Sequence, residues 1–509
     1  MKDLHSRSHL LTERRAVRSL SIVIVGAGIA GLTAGLGLRK AGHRVMILEQ
    51  ATQFEEAGAG IQLSPNATKI LHRFGVLDDI SKHADALERI SQRRYADNQE
   101  LGLATVMPAA GRRYGAPALI MHRADLHRSL VLAAKKAGCQ ISSGQRVTAV
   151  NAAAAPRVQT ADGTWYQGDL VLGADGFRSA VRKHVAAAYG HSEHLTPTGD
   201  AAYRFLIPRD KLAGNREVLE LMSQNTAVRW IGPRGHVMAY PIKHSALLNV
   251  VILHPDSLPS ETTDGQGTVW TTTKNKADAL DFCRGWCPTV QDMLACVPDG
   301  DIFEWHLYHH APLKHWYKDR VALIGDACHP MLPYTAQGAA NAIEDAGALV
   351  TALTCTSRVD LALAAYQQVR LDRSAEMQAG ALTARSNLHL PDGPEQRARD
   401  EAIRRATDEV DGDGGGDLAR NPDLWADRQW QDFAWGADVM KATVQGCVGL
   451  VAGGVQVRVQ DLGPRGEAGW RARVLLCDKG RVSKHGKSRR ALQRLKKRKG
   501  GGVQSRLRP

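Results

Sequence analysis

The stretch Ser21–Glu49 constrains the fold more than any other part of this chain. Ile22–Val25 is a short β-branched run, Gly26-Ala-Gly28-Ile-Ala-Gly31 is a glycine-rich turn, and Ile29–Ala41 has helix-forming composition up to Gly42. A second apolar run, Val45–Leu48, ends at Glu49. This order predicts two parallel strands joined by a crossover helix. Each glycine has a mechanical reading. Gly26 allows a tight turn, Gly28 lets the backbone approach a pyrophosphate, and Gly31 lets helix and strand pack closely. A pyrophosphate would rest on the helix N-terminus, where free N–H groups and the helix dipole favour negative charge. Glu49 stands where a carboxylate meets ribose hydroxyls. Alone, the glycine triplet is equally an ordinary strand–helix turn.

Two later segments repeat the theme of an apolar strand ending in Gly and Asp. Asp169-Leu-Val-Leu-Gly-Ala-Asp175-Gly176 is followed by Phe177, Arg178 and Ser179, and by itself reads as a strand with an Asp-Gly turn. Arg320-Val-Ala-Leu-Ile-Gly325-Asp326-Ala-Cys-His329-Pro330 reads as a buried strand delivering a carboxylate to a turn. Ala336–Leu353 then forms a helix rich in small residues.

The chain has 509 residues, enough for two or three domains. Residues 64–90 and 124–138 read as helices. Between about 195 and 255, short runs such as Ala201–Ile207, Val228–Ile231, His236–Tyr240 and Leu247–Leu253 alternate with Pro and Gly, which predicts an antiparallel sheet inserted into the first domain. The net charge of +14 is local, because residues 441–509 hold 18 Lys+Arg against 3 Asp+Glu and the remainder is nearly neutral. A basic tail describes an appendage and not the fold. It is read as lacking regular structure, as is the Gly/Asp-rich stretch Asp411–Asp417. Eight scattered cysteines fit packing thiols in a reducing compartment better than a disulfide framework. No apolar run is long enough to cross a membrane, and the first 20 residues do not read as a secretory signal. A cytoplasmic location is expected.

The three motifs together resemble the class A flavin-dependent aromatic hydroxylases, the group containing para-hydroxybenzoate and salicylate hydroxylases. The resemblance spans about residues 20–438 and is closest to the salicylate hydroxylase-like branch, especially fungal-type enzymes acting on polyketide-derived phenols in secondary metabolism. Gly58-Ala-Gly-Ile-Gln-Leu-Ser-Pro-Asn66, His122-Arg-Ala-Asp-Leu-His-Arg128 and Gly325–Ala340 support it. It implies an α/β fold: a Rossmann-like FAD-binding domain (21–190 and 291–390) with an inserted, mainly antiparallel β substrate domain (191–290). A short extension (1–20), a helical, Trp-rich segment (391–440) and the basic tail (441–509) complete the division. FAD and NAD(P)H are the implied cofactors. Carried over, the FAD-binding positions are Gly26, Gly28, Gly31, Glu49, Gly60, Arg123, Asp326, Gly338 and Ala339. Asp175-Gly176 would support FAD and bear on NAD(P)H use. The Gln337–Ala340 helix start would face the flavin's pyrimidine edge, where free N–H groups stabilise negative charge.

For the substrate, Arg204 matches an arginine that holds a phenolate and Tyr240 a tyrosine that orients the same oxygen. The implied reaction, through a flavin hydroperoxide, needs an electron-rich ring, and a cation beside the phenol oxygen lowers that oxygen's pKa. Without the resemblance, both positions read as a paired strand Arg and a core Tyr. His329, Pro330 and Pro333 are expected beside the flavin. His309-His310 departs from the Asp-Arg pair usual in the family and is read as a surface change, with no metal required. The expected partners are a small aromatic substrate and O2, with no specific nucleic acid or membrane, in a monomer or homodimer. The alternatives are a non-oxygenating FAD oxidoreductase, or a nucleic-acid binder acting through the tail. Trp425, Trp430 and Trp435 do not supply the Trp-x-Trp-x-x-Ile signature of flavin halogenases.

Overall fold

In the computed structural model, the glycine-rich unit forms as its pattern requires. Strand Ser21–Val25 leads through the turn into helix Ile29–Lys40, and strand Arg44–Leu48 returns parallel to the first. The structure describes residues 15–54, 59–152, 154–191, 195–257, 270–298, 302–411 and 420–451. All fall in one compact unit, Met1–Val455. Gly58, most of the Gly/Asp-rich stretch and the chain after 451 lie outside the described residues.

The first strand is central in a six-stranded sheet. Its neighbours are Arg44–Leu48 on one side and Leu170–Gly173 on the other, and Leu170–Gly173 in turn pairs in parallel with Val321–Leu323. All three Gly/Asp-ending strands therefore lie side by side and release their turns at the same carboxyl edge, where ligands of such sheets bind. Helices cover the sheet, so its strands are apolar throughout. Ile22, Ile24, Leu172 and Val321 are at most 1% exposed. Each such side chain contributes about 1.5–3 kcal/mol by leaving water. Glycine is required twice at this edge. A methyl group on Gly26 (φ +102°) would lie 2.3 Å from the Ala174 carbonyl oxygen, and one on Gly31 would lie 2.0 Å from that of Gly26.

The antiparallel region is an eight-stranded sheet. In order, its strands are Thr271–Lys274, Ile302–His310, Leu195–Pro208, Leu247–Pro255, Gly235–Ile242, Thr226–Gly232, Arg89–Arg94 and Glu100–Thr105. It draws strands from both sides of the 191–290 segment. The helical reading of 64–90 holds only as far as Ser81. Arg89–Arg94 instead pairs in parallel with Thr226–Gly232 and buries Ile90, Ser91 and Gln92. Tertiary pairing overrides the local pattern there.

A 30-residue helix, Val359–Leu388, lies beside helix Gly338–Cys355 and was not foreseen as a unit. Buried polar residues interrupt its apolar stripe: Arg370 is buried in an ion pair with Glu344, and Ser374 is buried where its hydroxyl donates to the Leu371 carbonyl oxygen. Trp425 and Trp435 are buried, as the docking of the Trp-rich segment requires. Residues beyond 440 do not all lack order, since helix Val439–Val451 packs Met440, Thr443 and Cys447 onto the body. Among the described residues no helix is long and apolar enough to cross a membrane.

Candidate active site

A cavity of about 420 Å³ opens between the carboxyl edge of the parallel sheet and one face of the antiparallel sheet. It gathers Gly28, Gly60, Arg123, Arg204, Tyr240, Asp326, Gly338 and Ala339, eight of the eleven site positions expected from the sequence. The other three support its rim. Gly26 and Gly31 shape the turn. The Glu49 carboxylate accepts hydrogen bonds from Ala27 N (2.7 Å) and Ala51 N (2.9 Å), which fixes it beside the turn.

The residues fit a bound dinucleotide. Gly28 caps helix Ile29–Lys40, and a methyl group built there or on Gly338 would meet nothing within 4 Å. Both helix starts are therefore open to a ligand, with uncommitted N–H groups facing it. The Gln337 side chain at the second start is fixed, donating to Ser64 Oγ at 3.0 Å. Asp326 lies in the turn Gly325–Ala327. Burial pushes its carboxyl above the ordinary range, while His329 and Arg123 pull it back. Arg123 begins helix Arg123–Lys136 and also reaches the cavity. Its amide is anchored on Ala59 O at 3.1 Å.

The antiparallel sheet supplies the opposite wall. Side chains alternate along a strand, so His236, Met238 and Tyr240 share one face, and all three line the cavity. The Tyr240 ring leaves no room at Gly60, where a methyl group would lie 2.6 Å from its Cε2. The Gly60 amide donates to Asn249 Oδ1 at 2.6 Å, tying the two walls together. Burial raises the Tyr240 hydroxyl well above the ordinary phenol range, and Arg204 offsets this in part. Arg204 is open to the cavity although protein encloses the cavity around it, and burial lowers its pKa. No carboxylate pairs with Arg204 among the described residues.

Several wall residues were missed. Arg229 is buried and pairs with Asp423 at 3.3 Å. His236 Nδ1 and His389 Nε2 share a hydrogen bond at 2.9 Å. Burial pushes the His389 imidazole down to about 4 and His236 well below its ordinary value, so both are neutral near pH 7. Tyr334 donates to Asp200. Strand alternation from Tyr240 would have found His236, but Asp423 and His389 come from distant segments.

Two expectations need correction. Of the three loop residues expected beside the flavin, Pro333 lines the cavity, but Pro330 and His329 do not, and His329 Nε2 is held on Asp345 Oδ2 at 2.6 Å. Asp175 supports the turn without lining the cavity. Its carboxylate accepts from Ser179 Oγ, Ala180 N and Val181 N and caps helix Ala180–Ala188, leaving Gly176 as the lining residue. The surface reading of His309-His310 holds for His309 alone: His310 is buried, and its ring nitrogen binds the Phe177 carbonyl oxygen at 2.9 Å. Among the described residues no three metal-binding side chains converge.

Residues 19–381 match the family model of the FAD binding domain. The chain is 37% identical over 392 residues to the FAD-dependent monooxygenase atnJ of Arthrinium sp, covering 76% of this chain and 89% of that protein. It is 34% identical over 391 residues to the 3-amino-4-hydroxybenzoate 2-monooxygenase PtmB3 of Streptomyces platensis, covering 76% and 92%. Among solved structures, a salicylate hydroxylase substrate complex shares the fold, with a TM-score of 0.68 at 23% identity over 84% of this chain and 98% of that one. Fold, cavity and kinship agree: the chain belongs to the class A FAD-dependent aromatic monooxygenases related to salicylate hydroxylase.

Proposed function

We propose that this monooxygenase takes its electrons from NAD(P)H and hydroxylates a phenolic aromatic, either a hydroxybenzoate or a polyketide-derived phenol. The observation that carries this reading is Arg204, a cation without a carboxylate partner, on the same cavity face as Tyr240. An enclosed, unpaired guanidinium favours an anion beside it. A phenolate meets that need and gives the electron-rich ring that hydroxylation requires. Tyr240 stays protonated at neutral pH and donates to the same oxygen.

FAD, when bound, supplies two-electron storage and the activation of oxygen. The chain's own residues do the rest. Gly26, Gly28 and Gly31 form the seat for the pyrophosphate, and Glu49 takes the ribose. Arg123 and Asp326 hold the middle of the cofactor, and Gly338 and Ala339 offer helix N–H groups to its ring. Val251, Leu253, Met238 and Leu332 give an apolar wall that excludes water from the ring to be hydroxylated. Segments 21–190 and 291–390 serve the cofactor and 191–290 serves the substrate, in a cytoplasmic monomer or homodimer.

The test is a panel of hydroxybenzoates and phenolic aldehydes, with NAD(P)H oxidation followed and products identified. A hydroxylated product from a phenol supports the reading. NAD(P)H oxidation that releases only hydrogen peroxide across the panel contradicts it.

A further inference from the structure

Arg204, Val251, Met238 and Arg229 form one register row across four neighbouring strands. All four line the cavity. Three inter-strand steps of about 4.8 Å place the two arginine backbones roughly 14 Å apart. The floor between the two cations is apolar, made by Val251 and Met238.

The two ends of the row differ. Arg204 has no carboxylate partner, whereas Arg229 is held by Asp423 through a long Nη1–Oδ1 hydrogen bond of 3.3 Å. A guanidinium carries five donors. Arg229 is 4% exposed, and its Nε is buried with no acceptor. Trp425 lines the same cavity, and its Nε1 is likewise buried with no acceptor. Two buried donors left without acceptors are costly. Both lie just behind the cavity surface, and a small shift of either side chain that brings its donor to a ligand oxygen removes that cost.

Charge selects the kind of oxygen. Asp423 already neutralises Arg229, and the neighbouring His236 is kept neutral by burial. A carboxylate placed there would face Asp423, whereas a carbonyl oxygen accepts from the free donors without that repulsion. Resting on the reading of Arg204 as the phenolate site, we infer that Arg229 is a specificity residue that donates to a carbonyl oxygen at the far end of the substrate. The preferred substrate class is then a phenol whose arm carries an acyl, ester or amide carbonyl across the Val251–Met238 floor.

The test uses the full, FAD-loaded chain and three probes sharing a para-hydroxyphenyl ring: para-hydroxybenzylacetone, para-butylphenol and para-hydroxyphenylpropanoate. Binding is read from the change in flavin absorbance. The ketone is expected to bind about tenfold more tightly than the oxygen-free butylphenol, the worth of one hydrogen bond to a charged donor. The propanoate should bind no better than butylphenol. In the double variant Arg229→Leu/Asp423→Leu, which leaves no buried charge unpaired, the ketone preference should fall to about one. Arg229→Lys, which keeps Asp423 paired but removes the planar fork, should reduce it as well. Arg204→Ala should weaken all three probes together and preserve the ketone-to-butylphenol ratio, so failure of the phenolate reading shows separately as unchanged affinities in that variant. Equal binding of ketone and butylphenol in the unmodified chain overturns the inference. So does a ratio that survives in the double variant, or a propanoate that binds tightest through Arg229.

Discussion

The Asp345 carboxylate accepts a hydrogen bond from the Gly325 amide at 2.8 Å and thereby holds the turn that presents Asp326 to the cavity. The same oxygen binds His329, and the other accepts from Arg370 Nε at 2.8 Å. Arg370 also pairs with Glu344, which Arg373 and Asn66 hold at 2.7 and 2.8 Å. Burial alone would raise the Asp345 carboxyl, but His329 and Arg370 outweigh it and hold the group below its ordinary range. One buried network thus joins the Gly325-Asp326 turn to helix Gly338–Cys355, and both reach the cavity.

Asp345→Asn should therefore destabilise the fold by about 3–5 kcal/mol, the usual cost of stranding a buried ion-pair partner. It should also weaken FAD binding, because the Gly325 turn loses its anchor. Chemical denaturation and FAD titration read the two effects. Unchanged FAD affinity in a folded variant would show that the turn holds itself.

The glycines of the first turn separate folding from cofactor binding. Gly31→Ala places a methyl group 2.0 Å from a backbone oxygen, so it should cost several kcal/mol or prevent folding. Gly28→Ala meets no protein atom and should leave the melting temperature of the FAD-free protein unchanged. It should still lower FAD affinity at least tenfold, because the methyl group occupies the approach to the helix start. Equal FAD affinity in Gly28→Ala would place the pyrophosphate elsewhere.

Arg204→Ala and Tyr240→Phe should retain FAD and lose hydroxylated product. A loss of about tenfold or more is expected for each, since each removes a hydrogen bond to a charged oxygen. The fraction of NAD(P)H oxidised without product should rise. Full coupled turnover in both variants would remove them from the substrate site.

His43 gives a pH signature independent of catalysis. Its buried Nδ1 accepts a hydrogen bond from Leu20 N at 3.2 Å, and burial lowers its pKa to about 4. Unfolded chains protonate histidine below about 6.5, which the folded state resists. Its contribution is therefore complete above the ordinary pKa and is lost as pH falls toward 4, by up to about 3 kcal/mol. Urea unfolding of the native chain and His43→Asn across this range should give a shallower acid decline in the variant. Parallel declines would assign the effect to other groups.

Much of the cofactor side was legible because its signals are local. Gly26–Gly31, Glu49 and Gly325-Asp326 each lie within a strand and its turn; spacing suggests the chemistry of the first two, and the family resemblance supplies that of Gly325-Asp326. Arg204 and Tyr240 lie on strands whose alternation was visible, so their shared cavity is a consequence of register. The far wall was not legible in the same way. Arg229 meets Asp423 from 194 residues away. His236 meets His389 from 153 residues away, at the end of a helix whose buried arginine conceals its apolar stripe. The helical reading of 64–90 ran too far, because the helices end at Ser81, and pairing with Thr226–Gly232 makes Arg89–Arg94 a strand. His329 was placed beside the flavin by motif, whereas its hydrogen bond commits it to the scaffold.

The central claim is that this cavity inserts one atom of molecular oxygen into a phenol held by Arg204. The most direct measurement is turnover of the FAD-loaded chain with NAD(P)H and a phenolic substrate under isotopically labelled O2, followed by mass analysis of the product. The account predicts one labelled oxygen on the ring, and its loss in Arg204→Ala. A product whose new oxygen comes from water, or labelled product formed equally well without Arg204, would contradict it.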